Sequence, residues 1–135
     1  FTKNELTTLS STVTAANNAY KMAKIAPQEI DIAEIHDAFS VCELMAVEDL
    51  SLTEKNTGAM YVRNLFNTED RKINPRGGLI GAGHPLGATG IAQIVEITQQ
   101  LQNKAKNRQV SNAKIGLTHN MSAAATSSTV LVLES

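Results

Sequence analysis

Cysteine is all but missing from this 135-residue chain: Cys42 stands alone. A single thiol excludes an internal disulfide and fits a reducing compartment. Charge of one sign is missing as well. Twelve Lys and Arg against thirteen Asp and Glu leave a net charge of −1, which gives no electrostatic footprint for nucleic acid or an anionic membrane. No apolar run approaches the roughly 18 residues of a membrane helix, so no membrane span is expected. The opening Phe1-Thr2-Lys3-Asn4 lacks the basic-then-apolar layout of a signal peptide, and Leu133-Glu134-Ser135 is not a peroxisomal import tripeptide. These absences together predict a cytoplasmic protein. The missing initiator Met is read as the mark of a processed or excised piece.

Several chemical signatures are absent too. Three histidines are present, but no pair has the short ligand spacing of a zinc motif, so no metal site is expected. Gly81-x-Gly83 is not followed three residues later by glycine, and no Gly-Lys-Ser/Thr ending occurs, which argues against a nucleotide loop. The Gly-x-Ser-x-Gly elbow of a Ser/His/Asp hydrolase is also missing. What remains is 42% apolar and 19% charged residues, the composition of one globular domain able to bury a core.

The most concentrated feature is glycine. Residues 77–90 hold six of the eight glycines and place His84 beside Pro85. So many glycines lose more chain entropy on folding than a plain turn requires. Two readings stay open at this point: a backbone that must approach a substrate and aim His84, or a helix start in a crowded interior.

Periodicity predicts an α/β layout. Thr2 and Glu5 have capping-box spacing, and Leu6, Leu9, Val13, Ala16, Tyr20 and Ala23 follow at helical period to about Lys24, before Pro27. Ile30, Ile32 and Ile35 mark a short strand leading to His36. A second helix is predicted from Phe39 to Leu50, with Phe39, Cys42, Leu44, Met45, Val47 and Leu50 on one side. Residues 51–76 are polar, with a turn or two of helix around Met60 to Phe66. Ile91, Ile94, Val95, Thr98 and Leu101 mark a third helix. Ile115 and Leu117 lie in a strand reaching His119, and Thr129 to Leu133 reads as a buried strand. Strands separated by helices imply a layered α/β unit, and all three histidines fall at predicted strand ends or turns, where such folds gather chemistry.

Each candidate has a plain alternative. His36 is a proton-transfer or oxyanion group, or a polar residue at a helix start with Asp37 as cap. His119 belongs to the same pocket, or is a buried core histidine. Cys42 is a nucleophile, or an inert thiol on an apolar helix face.

Gly83-His84-Pro85-Leu86-Gly87-Ala88-Thr89-Gly90, preceded by Asn74-Pro75-Arg76-Gly77-Gly78, resembles the glycine–histidine–proline motif of the thiolase superfamily. His36-Asp37-Ala38-Phe39 is similar to the motif that replaces Asn-Glu-Ala-Phe in the sterol-carrier-protein-x and archaeal-type branch. Arg108-Gln109-Val110 and His119-Asn120 fall in the order of that branch. The resemblance runs from about Thr7 to Leu133 and concerns the C-terminal of two similar βαβαβαββ halves, each with a mixed sheet covered by helices. It therefore implies that residues 1–135 form a thiolase-like C-terminal domain. The family's nucleophilic cysteine lies in the N-terminal half, absent here, so the isolated chain is expected to be inactive.

Carried over by position, the resemblance makes His84 the base that deprotonates the nucleophile and helps hold the thioester oxygen. His36 corresponds to the residue that completes an oxyanion site for the enolate. His119, Asn120 and Cys42 are further oxyanion or acid–base candidates, and Gly83, Pro85, Gly87 and Ser122 belong to substrate loops. Two departures stand out. Where ordinary thiolases have a Cys-x-Gly motif, this chain has Asn120-Met121-Ser122, and Ala38 occupies the position of a cysteine in the branch. Cys42 lies one helical turn on, some 6 Å along the axis, which leaves the acid–base step unassigned. Ser122, Ala123 and Ala124 narrow a loop that borders the thioester in relatives.

The leading expectation is an acetyl-CoA acetyltransferase or 3-ketoacyl-CoA thiolase of lipid metabolism, with the coenzyme A thioester as substrate and no cofactor. The rivals are a thiolase-fold retro-aldolase on a coenzyme A ester, and a non-catalytic acyl-CoA-binding or scaffold subunit. Implied partners are the N-terminal thiolase domain in cis or trans, further copies in a homo-oligomer, and a small zinc-ribbon/oligonucleotide-fold protein.

Overall fold

A computed structural model describes residues 6–67 and 71–135. The capping pair Thr2 and Glu5 lies outside the described residues. Helix α1 spans Ser10–Ala23. Leu6, expected on its apolar face, is 99% exposed in a turn ahead of it, so the helix begins later than the periodicity predicts. Strand β1 (Ile32–Ile35) follows, then helices α2 (Ser40–Asp49), α3 (Gly58–Phe66), α4 (Gly78–Ala82) and α5 (Thr89–Leu101), and strands β2 (Ile115–Met121) and β3 (Ser128–Glu134).

The α/β class and mixed sheet hold. Among the described residues the sheet has three strands in the order β1-β2-β3, where the resemblance implies five per half. β1 runs parallel to β2 with Ile35 opposite His119, and β3 is antiparallel to β2. The outer edge of β1 is not left open. Ala33 N–H donates to the Lys72 carbonyl, Asn74 N–H to the Ala33 carbonyl, and Ile35 N–H to Asn74 Oδ1 at 2.7 Å. This strap satisfies backbone groups that an unpaired edge would expose.

The period-two alternation of a strand sorts the core onto two faces. Ala33, Ile35, Leu117 and Val130 pack with Ala16 and Tyr20 of α1 and with Ala46, Val47 and Leu50 around α2. Ile32 joins Ile97 and Leu101 of α5, with Val110 and Ala113, on the other face. Two expectations fail here. β3 is an edge strand with only Val130 buried, because its outer side has no further strand or helix among the described residues. Phe39 is 71% exposed rather than part of the α2 apolar side, because it precedes the first turn and points away from the sheet-facing Ala46 and Val47. No helix among the described residues is long and apolar enough to cross a membrane.

Candidate active site

The register of the sheet builds the first half of the site. With Ile35 paired to His119, the next residues along the two parallel strands, His36 and Asn120, come side by side at the strand ends. His36 Nδ1 lies 2.6 Å from Asn120 Oδ1. An amide oxygen only accepts, so Nδ1 carries the proton and Nε2 keeps its lone pair. A Cβ on Gly90, at the start of α5, would come within 2.7 Å of Asn120 Nδ2. Glycine there lets the helix close over the amide.

The glycine-rich segment builds the second half. Part of it folds as the short α4, and Gly83 leaves that helix at φ +90° to release His84. His84 Nδ1 lies 2.7 Å from Thr89 Oγ1, the first residue of α5. The Thr89 hydroxyl donates to the Pro85 carbonyl at 3.2 Å, so its oxygen accepts the His84 Nδ1–H. In the neutral ring this leaves Nε2 of His84 as the acceptor nitrogen. The Pro85 carbonyl further accepts the N–H groups of Ala88 and Thr89, which fastens the loop to the first turn of α5.

The two imidazoles meet edge to face, with ring centroids 5.0 Å apart and planes at 88°. Asp37 holds the segments together: buried at 3% exposure, it accepts the Leu79 N–H on Oδ1 at 2.6 Å. Gly78 sits against it at φ +61°, where a Cβ would overlap the carboxylate. Asp37 thus caps the start of α4, not α2 as the sequence suggests. Burial pushes His36 below its ordinary value and the neighbouring His84 pushes the same way, against the Asn120 hydrogen bond and the charge of Asp37.

Both histidines face an open cavity of about 620 Å³, lined also by Phe39, Leu86, Asn120 and Ser122. Gly87 lies in an adjoining cleft with Leu86, Ile91 and Leu131. Ser122 fixes the β2–β3 connection, with its hydroxyl 2.9 Å from Thr126 Oγ1 and accepting the Ser127 N–H at 3.0 Å.

Among the acid–base candidates, His119 and Cys42 do not reach the cavity lining, and of the loop candidates Gly83, Pro85 and Gly87 do not line it either. His119 is fully buried on the opposite face of β2, with Nε2 3.0 Å from Thr12 Oγ1, and burial together with the His36 charge lowers it to about 4. Strand alternation turns it away, because its neighbour Asn120 takes the site side. Cys42 is half-buried on α2, neither in the cavity lining nor in the core. Thr89 and the tie from Asp37 to Leu79 were not legible as site elements. The available signal was a hydroxyl residue opening a helix five positions after the loop histidine.

Comparison with known proteins fits this geometry. A family model described as thiolase C-terminal domain-like matches residues 1–135. The chain is 48% identical over 121 residues to an acetyl-CoA acetyltransferase of Methanothermobacter thermautotrophicus, covering 88% of this chain and 32% of that protein. It is 47% identical over 109 residues to human sterol carrier protein 2, covering 79% of this chain and 20% of that protein. Among solved structures, one described as an Ltp2-ChsH2(DUF35) aldolase superposes with a TM-score of 0.85 at 17% identity, over all of this chain and 34% of that one. That likeness is one of fold alone. The peroxisomal 3-ketoacyl-CoA thiolase of Saccharomyces cerevisiae gives a TM-score of 0.54 at 28% identity, over 82% of this chain and 25% of that one. The chain thus spans a third or less of the relatives it matches, and it belongs to the thiolase C-terminal domain family.

Proposed function

We propose that this chain supplies the histidine half of a thiolase-type acyltransferase acting on acyl-coenzyme A, completed by an N-terminal thiolase half in cis or in trans. One observation carries the reading: His84 lines an open cavity and its Nδ1 is tied to Thr89 Oγ1, which leaves Nε2 as the ring nitrogen able to take a proton. A base held in this way is what such a half would contribute to a thiol brought to the cavity. A thiol near neutral pH is mostly protonated, and an adjacent imidazole raises its thiolate fraction. The acyl group then moves from the sulfur of coenzyme A to the incoming cysteine, whose proton His84 Nε2 takes and then returns to the departing coenzyme A thiolate. The Nε2–H so formed faces the thioester oxygen, where a fixed donor is worth roughly 3–4 kcal/mol in the transition state.

The test is His84→Ala in the assembled protein, meaning this chain united with its N-terminal half. Acetyl transfer between acetyl-CoA and coenzyme A should fall by at least about 10²-fold. A variant that transfers acetyl as fast as the parent would remove His84 from the reaction.

A second reading is retro-aldol cleavage of a coenzyme A ester. It is favoured by the cavity lining, which offers histidines but no cysteine for an acid–base pair. The two separate on whether an acyl group becomes bound to the protein.

A further inference from the structure

The acid–base group missing from the cysteine positions has a replacement in the geometry. We propose that His36 is the group that removes and returns the proton on the α-carbon of the thioester, rather than only a donor to its oxygen. This rests on the acyl-CoA reading above, but its test can fail independently of acyl transfer.

To stabilise a developing oxyanion, a neutral imidazole must direct its N–H at that oxygen. The single N–H of neutral His36 is already committed to Asn120 Oδ1 at 2.6 Å. Nε2 is therefore left as an acceptor on a residue that lines the cavity. Such an atom can take a proton before it can give one. Asn120 is itself held in place, because Gly90 packs against its amide.

The alternatives can be checked residue by residue. Ala38 and Met121 line the cavity but hold no titratable group, and Ser122 spends its hydroxyl within the turn. Cys42 and His119 are not lining residues. Among the described residues, the only titratable side chains in the lining are His36 and His84. His84 is engaged with the nucleophile in the reading above, which leaves His36 as the base this chain can supply. Burial and the neighbouring imidazole keep His36 neutral, the form a base requires.

The step balances within the site. Nε2 forms a bond to the α-proton, and the electrons of the broken C–H bond become the enolate. The α-carbon then bonds to the carbonyl carbon of the acyl group carried on the cysteine, and the acyl–sulfur bond breaks. The released thiolate takes the proton back, which restores neutral His36. Cleavage runs the same steps in reverse. While protonated, His36 still donates from Nδ1 to Asn120, so the ring need not turn.

His36→Asn and His36→Gln separate the two roles, since each amide keeps a donor at the position and neither can act as a base. The parent and both variants of the assembled protein are incubated with acetyl-CoA in D2O. Deuterium entering the acetyl methyl group and acetyl bound to protein are both followed by mass spectrometry. We expect methyl exchange to fall by about 10²-fold or more in both variants, and at least about tenfold further than acetylation falls. Exchange at the parental rate in either variant would overturn the proposal. So would equal loss of exchange and acetylation in folded variants, or a parent that does not exchange at all. A parent that exchanges but is never acetylated would sink the acyltransferase reading alone.

Discussion

Glu34 shows how one side chain can shape the pH response of the whole chain. It lies on β1 with no solvent exposure, and its Oε2 is 3.8 Å from Arg76 Nε with no hydrogen bond. Burial lifts its carboxyl to about 7, with Arg76 opposing. The folded chain then keeps a proton that the unfolded chain releases. This contribution is full below about pH 4.5 and is lost as pH rises through 7, to the extent of about 3 kcal/mol. His119 acts in the opposite sense. Its folded value of about 4 lies below the ordinary 6.5, so stability falls as pH drops through that window. The two slopes offset one another across mildly acidic pH. Glu34→Gln should therefore raise the melting temperature at pH 8 and leave it nearly unchanged at pH 4. Parallel melting curves for parent and variant across that range would contradict the assignment of a buried, elevated carboxyl.

At the scale of elements, α4 and the turn after β1 are joined through Asp37. Helix α4 is only five residues long and is stabilised from outside rather than by its own propensity. Gly78 is where the join is tightest. Gly78→Ala would place a Cβ on the Asp37 carboxylate at a left-handed φ, and should cost roughly 2–3 kcal/mol with disturbance of both histidines. Gly81 in the same helix has open space where its Cβ would be. Gly81→Ala should be neutral or stabilise by up to about 1 kcal/mol. Chemical denaturation of the pair tests this, and equal effects would show that the tie is not specific.

The same elements show what was legible in the sequence. The strand at Ile32–Ile35 and the approach of β2 to His119 follow from periodicity that burial enforces, whereas the helix at 89–101 was read from Ile91 and Val95, which are exposed, and buries Gln93, Glu96 and Gln100 with Ile97 and Leu101. The start of α1, the exposure of Phe39 and the half-open β3 did not follow, because they depend on where neighbouring surfaces end. His84 stood out through glycine content. The pairing of His36 with Asn120 was not readable, since it comes from strand register, which no local pattern encodes. His119 illustrates the same limit: one step along β2 separates a site residue from a core residue.

For the whole molecule, the proposed reading is that this chain holds one half of an active site, completed by a thiol from elsewhere. Both imidazoles are fixed by partners within this chain, Asn120 for His36 and Thr89 for His84. Apolar groups at the rim, including Leu86, Ile91 and Leu131, remain exposed beside the cavity. An isolated copy leaving that much apolar surface uncovered is expected to self-associate or to bind a partner that covers it. The account stands or falls on where an acyl group attaches. The most direct measurement is to incubate the assembled protein with isotopically labelled acetyl-CoA, quench it in acid, and locate the label by peptide mass spectrometry. The account predicts one acetyl group on a cysteine of the N-terminal half and none on Cys42. Label on Cys42, or no covalent acetyl under turnover conditions, would contradict it.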